Sequence, residues 1–227
     1  MKLNSIHNIS GTIRLLSGLH IGAGREAIEI GGLDQPIIKH PIHGAPYIPG
    51  SSIKGKMRSL LETYYFVDRP STRQWVVDKG SACGCSEEDC PSCRIFGTSG
   101  AEKAENMGPT RIIVRDALMT ENYREQFANG KLSTEVKYEN TIDRVKGTAL
   151  NPRPLERIPA GVEFDFSISF KVFENDTEDL IDYVYKGLKL IELDALGGNS
   201  SRGCGHVAFE NVQCDGRGVD LSQVDLG

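Results

Sequence analysis

Residues 161–173, GVEFDFSISFKVF, place Val162, Phe164, Phe166, Ile168 and Phe170 at every second position. A period of two marks a strand with one buried face. A weaker alternation runs through HNISGTIRLL at 7–16, and RIIVRDALM at 111–119 predicts a further short strand. Two segments switch to the helical period. Over 51–66, Ile53, Met57, Leu60, Leu61 and Tyr64 share a face; over 177–193, Leu180, Ile181, Val184, Leu188 and Ile191 do. A last strand is expected over 204–214. The order β-α-β-β-α-β predicts a ferredoxin-like or RNA-recognition-motif-like fold, a two-layer α+β sandwich. Residues 67–110 and 120–160 have no place in it. Both are too long for ordinary connections, and insertions of that length usually carry function.

Composition adds little to this until charge is located. The chain has 227 residues, 39% of them hydrophobic and 25% charged, which suits one soluble core bearing insertions. No apolar run approaches a membrane span, and MKLNSIHNISGTIRLL lacks the apolar centre of a signal peptide, so a cytoplasmic protein without a membrane partner is expected. The net charge of −5 argues against a polyanionic partner, but its distribution does not. Residues 1–60 hold seven Lys or Arg against three acids. A basic face on an acidic protein attracts polyanions locally, because screening confines the opposing charge to about 8–10 Å.

That basic region contains IPGSSIKGKMR at 48–58. From Gly50 to Lys56 it matches G-x-x-x-x-G-K, yet Met57 stands where a phosphate-binding P-loop needs a hydroxyl for magnesium. Nucleotide hydrolysis is therefore disfavoured. A helix opened by Gly50, Ser51 and Ser52 still offers free amides to an anion, with Lys54, Lys56 and Arg58 in its first two turns. A capped surface helix with solvated lysines is the plainer alternative. LHIGAGREA at 19–27 nominally fits a dinucleotide fingerprint, but no helical pattern follows. A glycine turn is the better account, with His20 beside it either packed or able to stack on a base or contact a phosphate. ALGGNSSRGCGHVAF at 195–209 clusters glycines whose amides can form an anion-binding concavity, with Arg202 able to close over it. CGCSEEDCPSC at 83–93 supplies four thiols. In a chain without export signals, Cys83, Cys85, Cys90 and Cys93 predict structural zinc rather than disulfides, although the Cys83-x-Cys85 spacing is tight. Cys204 and Cys214 have no such pattern and are expected in the core. Asp34, between Gly-Gly-Leu and Gln-Pro, has the surroundings of a turn residue.

Taken together, SGTIRLLSGLHIGAG, LDQPII, YIPGSSIKGKMRSLLE, VKYENTIDRVKGTALNPRPLERIPAGVEF and LGGNSSRGCGHV resemble, in order and over nearly the whole chain, a RAMP-superfamily protein. The family is the repeated backbone subunit of the type III-A CRISPR effector, the Csm complex. The cysteine cluster adds nothing to this resemblance. The resemblance implies an RRM-like palm (1–66, 111–133 and 161–227), a lid at 67–110 carrying the zinc site, and a thumb hairpin at 134–160. It implies copies stacked along a CRISPR guide RNA beside other Csm subunits, and cleavage of complementary target RNA at regular intervals with Mg²⁺ through the residue matching Asp34. It also implies guide contacts at His20, Ser51, Ser52, Lys54, Arg58, Gly197, Gly198 and Arg202, with Arg144 on the thumb. The competing readings are a non-catalytic RNA-binding scaffold and an endoribonuclease processing precursor CRISPR RNA. The latter would require a general base near the glycine turn, where His206 is the candidate.

Overall fold

The computed structural model describes residues 2–24, 35–98 and 107–227. It opens with β1 (Leu3–Leu15), where Ile9, Ile13 and Leu15 are buried and Asn8, Ser10, Thr12 and Arg14 between them are not. β2 (Tyr47–Ile48) leads into α1 (Gly50–Leu61), continued by one wide π turn, Glu62–Phe66. The first insertion carries two short α-helices, α2 (Pro70–Arg73), which runs on into a π turn at Gln74–Asp78, and α3 (Pro91–Phe96). The chain re-enters the sheet as β3 (Ile112–Val114) and β4 (Ala117–Met119), followed by α4 (Glu121–Ala128). A hairpin of β5 (Glu135–Ile142) and β6 (Ala149–Arg157) forms its own two-stranded sheet. β7 (Glu163–Phe173), α5 (Asp182–Leu193), β8 (Val207–Cys214) and β9 (Arg217–Gly218) complete the chain.

The main sheet runs β2-β4-β7-β1-β8-β9, with β3 also paired to β7, and every neighbouring pair is antiparallel. One face is polar and meets solvent, as antiparallel sheets allow. The other carries Phe164, Phe166, Phe170, Val207 and Phe209 against Ile53, Met57 and Leu61 of α1 and Val184, Leu188 and Ile191 of α5. Each fully buried side chain of this size is worth about 1.5–3 kcal/mol. The two helices cross closely because residue 187 is glycine: a Cβ there would lie 2.3 Å from Met57 Cγ. Met57 is thus a core residue under α5, and the P-loop position for a metal-binding hydroxyl faces the interior.

Two expectations needed correction. The helical stripe was to include Tyr64, which is 51% exposed. The π turn adds a residue to the rotation and swings Glu62 and Phe66 inward instead. The single strand over 111–119 is two strands lying along the same edge of β7, Val114 opposite Ile168 and Leu118 opposite Asp165. Between them Asp116 turns away to accept the Gly50 amide at 2.7 Å. A Cβ at Gly50 would fall 2.3 Å from the Val114 carbonyl oxygen, so the helix start needs glycine to pack here.

The first insertion is tied to the sheet by a buried ion network. Arg111, fully buried, grips Asp176 through Nε (3.0 and 3.1 Å) and Nη2 (2.8 Å), and its Nη1 donates to the carbonyls of Met107 and Pro109. Arg94 of α3 reaches the same carboxylate at 2.8 Å. Burial alone would raise the Asp176 carboxyl. The Arg111 hydrogen bond, the Phe173 amide and the two guanidinium charges outweigh it and hold the group below the usual carboxylate range.

Candidate nucleic-acid interface and cysteine cluster

The start of α1 keeps part of the anion-binding character read from its sequence. Asp116 already takes the Gly50 amide, so one helix-end donor is neutralised by an acid of the chain itself. Ser51 is exposed and Ser52 half-buried beside it. The three basic residues then diverge. Lys56 pairs with Asp194 at 2.5 Å. Arg58 is consumed internally: Nε donates to Glu62 at 2.7 Å, Nη2 to the Cys83 carbonyl at 2.5 Å, and its guanidinium faces the Phe96 ring at 5.9 Å. Lys54 has no ion partner among the described residues, and burial, then the charge of Arg58, lower its pKa. Of the three, Lys54 is the cation left for a phosphate.

His20 is 8% exposed, and its Nδ1 lies 2.7 Å from the Glu156 carbonyl oxygen, to which a protonated Nδ1 donates. The His20 carbonyl accepts the Gly198 amide at 2.8 Å. Gly197 sits at φ 79°, and a Cβ on it would meet the same carbonyl at 2.5 Å, so both conformation and space require glycine. His20, Gly197 and Gly198 therefore form one packed junction, in which the backbone of the buried histidine sets the turn. The turn continues through a 3₁₀ segment, Ser200–Arg202, whose arginine pairs with Asn199 and, at 2.5 Å, with Glu139 of the hairpin. Lys137 of the hairpin returns a bond to the Arg202 carbonyl at 2.5 Å. Arg202 thus clamps turn to hairpin.

Glu156, a residue the sequence reading passed over, holds a third strand of chain to this junction. It is 3% exposed and accepts from the Ile37 amide (3.0 Å), Lys39 Nζ (2.7 Å) and Thr134 Oγ1 (2.7 Å). Its own amide donates to the Gln35 carbonyl at 3.2 Å. Burial would raise its carboxyl, but the three donors and the Lys39 charge outweigh that and lower it. A charged residue beside Leu155 inside a β-pattern was the available signal. Asp34 lies outside the described residues; its neighbour Gln35 is fixed to β6. Arg144 stands at the solvated hairpin tip among Ile142, Val145 and Leu150, away from the junction at the base. His206 is exposed, and its ring has no carboxylate partner among the described residues.

The four cysteines of 83–93 converge. Cys83 Sγ lies 3.9 Å from Cys90 and 3.8 Å from Cys93, and Cys85 lies 3.8 Å from Cys93. Tetrahedral zinc with Zn–S bonds of about 2.3 Å spaces its sulfurs by about 3.8 Å, whereas a disulfide needs about 2.05 Å. Hydrogen bonds from the Cys90 and Cys93 thiols pull the Cys83 thiol far down, and the same sharing pushes Cys90 up strongly and Cys93 to about 12. The cluster docks on α1 through Glu62, whose buried carboxylate accepts from the Cys83 amide at 3.1 Å, from Arg58 and from the Ser92 hydroxyl.

A sheet with α1 and α5 on one face, interrupted by a cysteine-bearing insertion and a hairpin, defines an α+β module. The family model of the RAMP superfamily matches residues 12–208, and the chain belongs to that superfamily. Among its relatives, the CRISPR system Cms endoribonuclease Csm3 of Methanothermobacter thermautotrophicus is 40% identical, over all of this chain and 93% of its own. The Csm3 endoribonuclease of Streptococcus thermophilus is 42% identical over 90% of this chain and 87% of its own. A crystal structure of a Csm3–Csm4 subcomplex of the type III-A interference complex superimposes with a TM-score of 0.57 at 26% identity, covering 94% of this chain and 80% of that one. A type III-B Cmr-β complex bound to cognate target RNA shares the fold at 17% identity and a TM-score of 0.60, over 92% of this chain and 60% of its own.

Proposed function

We propose that the chain is the repeated backbone subunit of a type III-A CRISPR ribonucleoprotein, which lies along a guide RNA and cuts the complementary target. The observation that carries this reading is identity of 40% and 42%, over 100% and 90% of the chain, to relatives named as Csm3 endoribonucleases. In this reading the main sheet with α1 and α5 is the palm, the cysteine insertion the lid and the β5–β6 hairpin the thumb. The guide backbone runs past Ser51, Ser52 and Lys54 toward the Gly197–Gly198 turn. His20 and Arg202 shape that path from behind, Arg58 holds the lid, and Arg144 meets RNA at the thumb tip.

Asp34 is the proposed catalytic residue for attack of a ribose 2′-hydroxyl on the adjacent phosphate, which leaves a cyclic phosphate and a 5′-hydroxyl. Its carboxylate oxygens suit a hard cation, and bound Mg²⁺ would supply charge neutralisation at the scissile phosphate. The chain's contribution is positional: Glu156 fixes residues 35–39, immediately after Asp34, to the base of the thumb. Zinc is proposed in the lid, on Cys83, Cys85, Cys90 and Cys93, with no ligand position open to water. Its role would be to fold the insertion.

The test assembles the subunit with guide RNA and the other Csm subunits, then adds complementary RNA. Asp34→Asn and Asp34→Ala are expected to assemble and bind target like the wild type and to lose cleavage by at least a hundredfold. Either variant cutting at near wild-type rate would overturn the catalytic assignment and leave a scaffold.

A further inference from the structure

Cys214, expected in the core like Cys204, has reactive company. Cys214 ends β8, half-buried, and its Sγ lies within 4.8 Å of an imidazole nitrogen of His7 and a carboxylate oxygen of Asp215. His7 Nδ1 and Asp215 Oδ2 are 2.7 Å apart. The three residues come from opposite ends of the chain, which is why no local motif announced them.

The site sits on rigid backbone. Asp215 and Gly216, at φ 50° and 79°, form a two-residue hairpin loop between Cys214 and Arg217, which pair directly. That loop is clamped to β1: the Asp215 amide donates to the Asn8 carbonyl at 2.9 Å, and the Asn8 amide donates to Asp215 Oδ1 at 2.8 Å. Two of the three ligand candidates also have an outer partner. The Asn8 amide orients the carboxylate. Ser5 Oγ lies 3.1 Å from His7 Nε2, and on the other side of the ring Nδ1–H donates to Asp215 Oδ2 at 2.7 Å, so both ring nitrogens are held in direction. Outer partners of these kinds fix metal ligands in orientation.

We infer that His7, Cys214 and Asp215 form a second metal site, for a zinc-class divalent transition ion, with an open fourth position. Nitrogen, thiolate and carboxylate together suit zinc, and neither magnesium nor calcium favours the sulfur and nitrogen. Ligands at about 2.0 Å from a tetrahedral ion stand about 3.3 Å apart, so the His7–Asp215 pair need open by only about half an ångström to admit it. Binding would displace the thiol proton to solvent as the thiolate coordinates, and the imidazole proton would pass from Nδ1 to Nε2, facing Ser5 Oγ, to free the Nδ1 lone pair. With three protein ligands at a half-exposed surface, the site is the weaker of the two, filling when zinc is supplied.

The experiment uses the full chain without a polyhistidine tag. Protein is titrated with zinc against a chromogenic chelator of micromolar affinity, and with Co²⁺ to read the thiolate charge-transfer band. Wild type is expected to take up one ion more than Asp215→Asn or Cys214→Ser, each of which keeps the hairpin loop, with affinity at that site at least tenfold lower in both. Cys83→Ser should retain this ion, so failure of the lid-zinc reading and failure of this one are separable. Equal stoichiometry and affinity in wild type and both variants, or no cobalt–thiolate band assignable to Cys214, would overturn the site.

Discussion

At the scale of single residues, the basic cluster at the start of α1 separates into different roles. Lys54 is the free one, held in a partly desolvated position beside Arg58 that burial makes costly. A phosphate relieves that cost. Lys54→Ala should weaken guide RNA binding alike for all sequences and flatten the plot of log affinity against log salt by about 0.7, the share of one single-strand phosphate contact. Arg58→Ala should leave that slope unchanged and loosen the lid, because its guanidinium is spent on Glu62 and Cys83. Electrophoretic mobility or anisotropy titrations across salt concentrations separate the two. The sequence could rank neither residue. It displays three cations at helical spacing, but the acid that silences Lys56 is 138 positions away, and the groups that engage Arg58 come from the lid. Gly197 was more legible, since a positive-φ turn against a buried histidine admits little else. The proposal for Asp34 rests on family resemblance alone.

At the scale of elements, periodicity was a good guide wherever one face met the core. Phe164 to Phe170 are buried in the phase their alternation predicts, and α5 presents the expected stripe. It failed where polar groups set the geometry: the π turn that brings Glu62 inward, and the strand interruption made by Asp116. The first insertion was legible as cysteines and little more, because its apolar content is too sparse to make a core. Trp75 and Met107 are its main non-cysteine apolar contacts around the sulfurs. An element so poor in packing needs a cross-link. Protein purified without added metal should therefore hold one zinc that survives dialysis, measured by elemental analysis. Cys83→Ser should lose it and become at least tenfold more sensitive to protease within residues 67–98, with the far-ultraviolet signal of the sheet retained. Reduced, folded wild-type protein free of zinc would remove the metal from the account.

At the scale of the whole molecule, Asp176 is where insertion, sheet edge and the turn after β7 meet. Removing one partner of a buried pair leaves the other uncompensated, so Asp176→Asn should cost about 3–5 kcal/mol at neutral pH by denaturant unfolding. The pH dependence has a definite sign. A carboxyl depressed on folding contributes stability that is complete above its unfolded value near 3.8 and is lost as pH falls through the lower folded value. The gap between wild type and variant should therefore be widest at neutral pH and close below about pH 3.8. A gap that grows in acid would contradict the network.

Among the described residues, the hairpin of β5 and β6 joins the body through its lower half, by the Gln35–Leu155 bridge, the adjoining Leu19–Ile158 bridge, the bonds of Glu156, and the contacts of Lys137 and Glu139 with Arg202. Two strands without a third have marginal stability in water. The outer half, with Val145 95% exposed at its turn, gains little enthalpy from the rest of the chain. The entropy of stiffening that half is therefore deferred to the moment its apolar tip is covered. Docking on a nucleic-acid duplex would then show a more negative heat-capacity change than the contact area of a rigid body predicts, and a free energy smaller than that area suggests. A long guide would favour occupancy less through tight individual contacts than through many successive, individually costly acts of ordering.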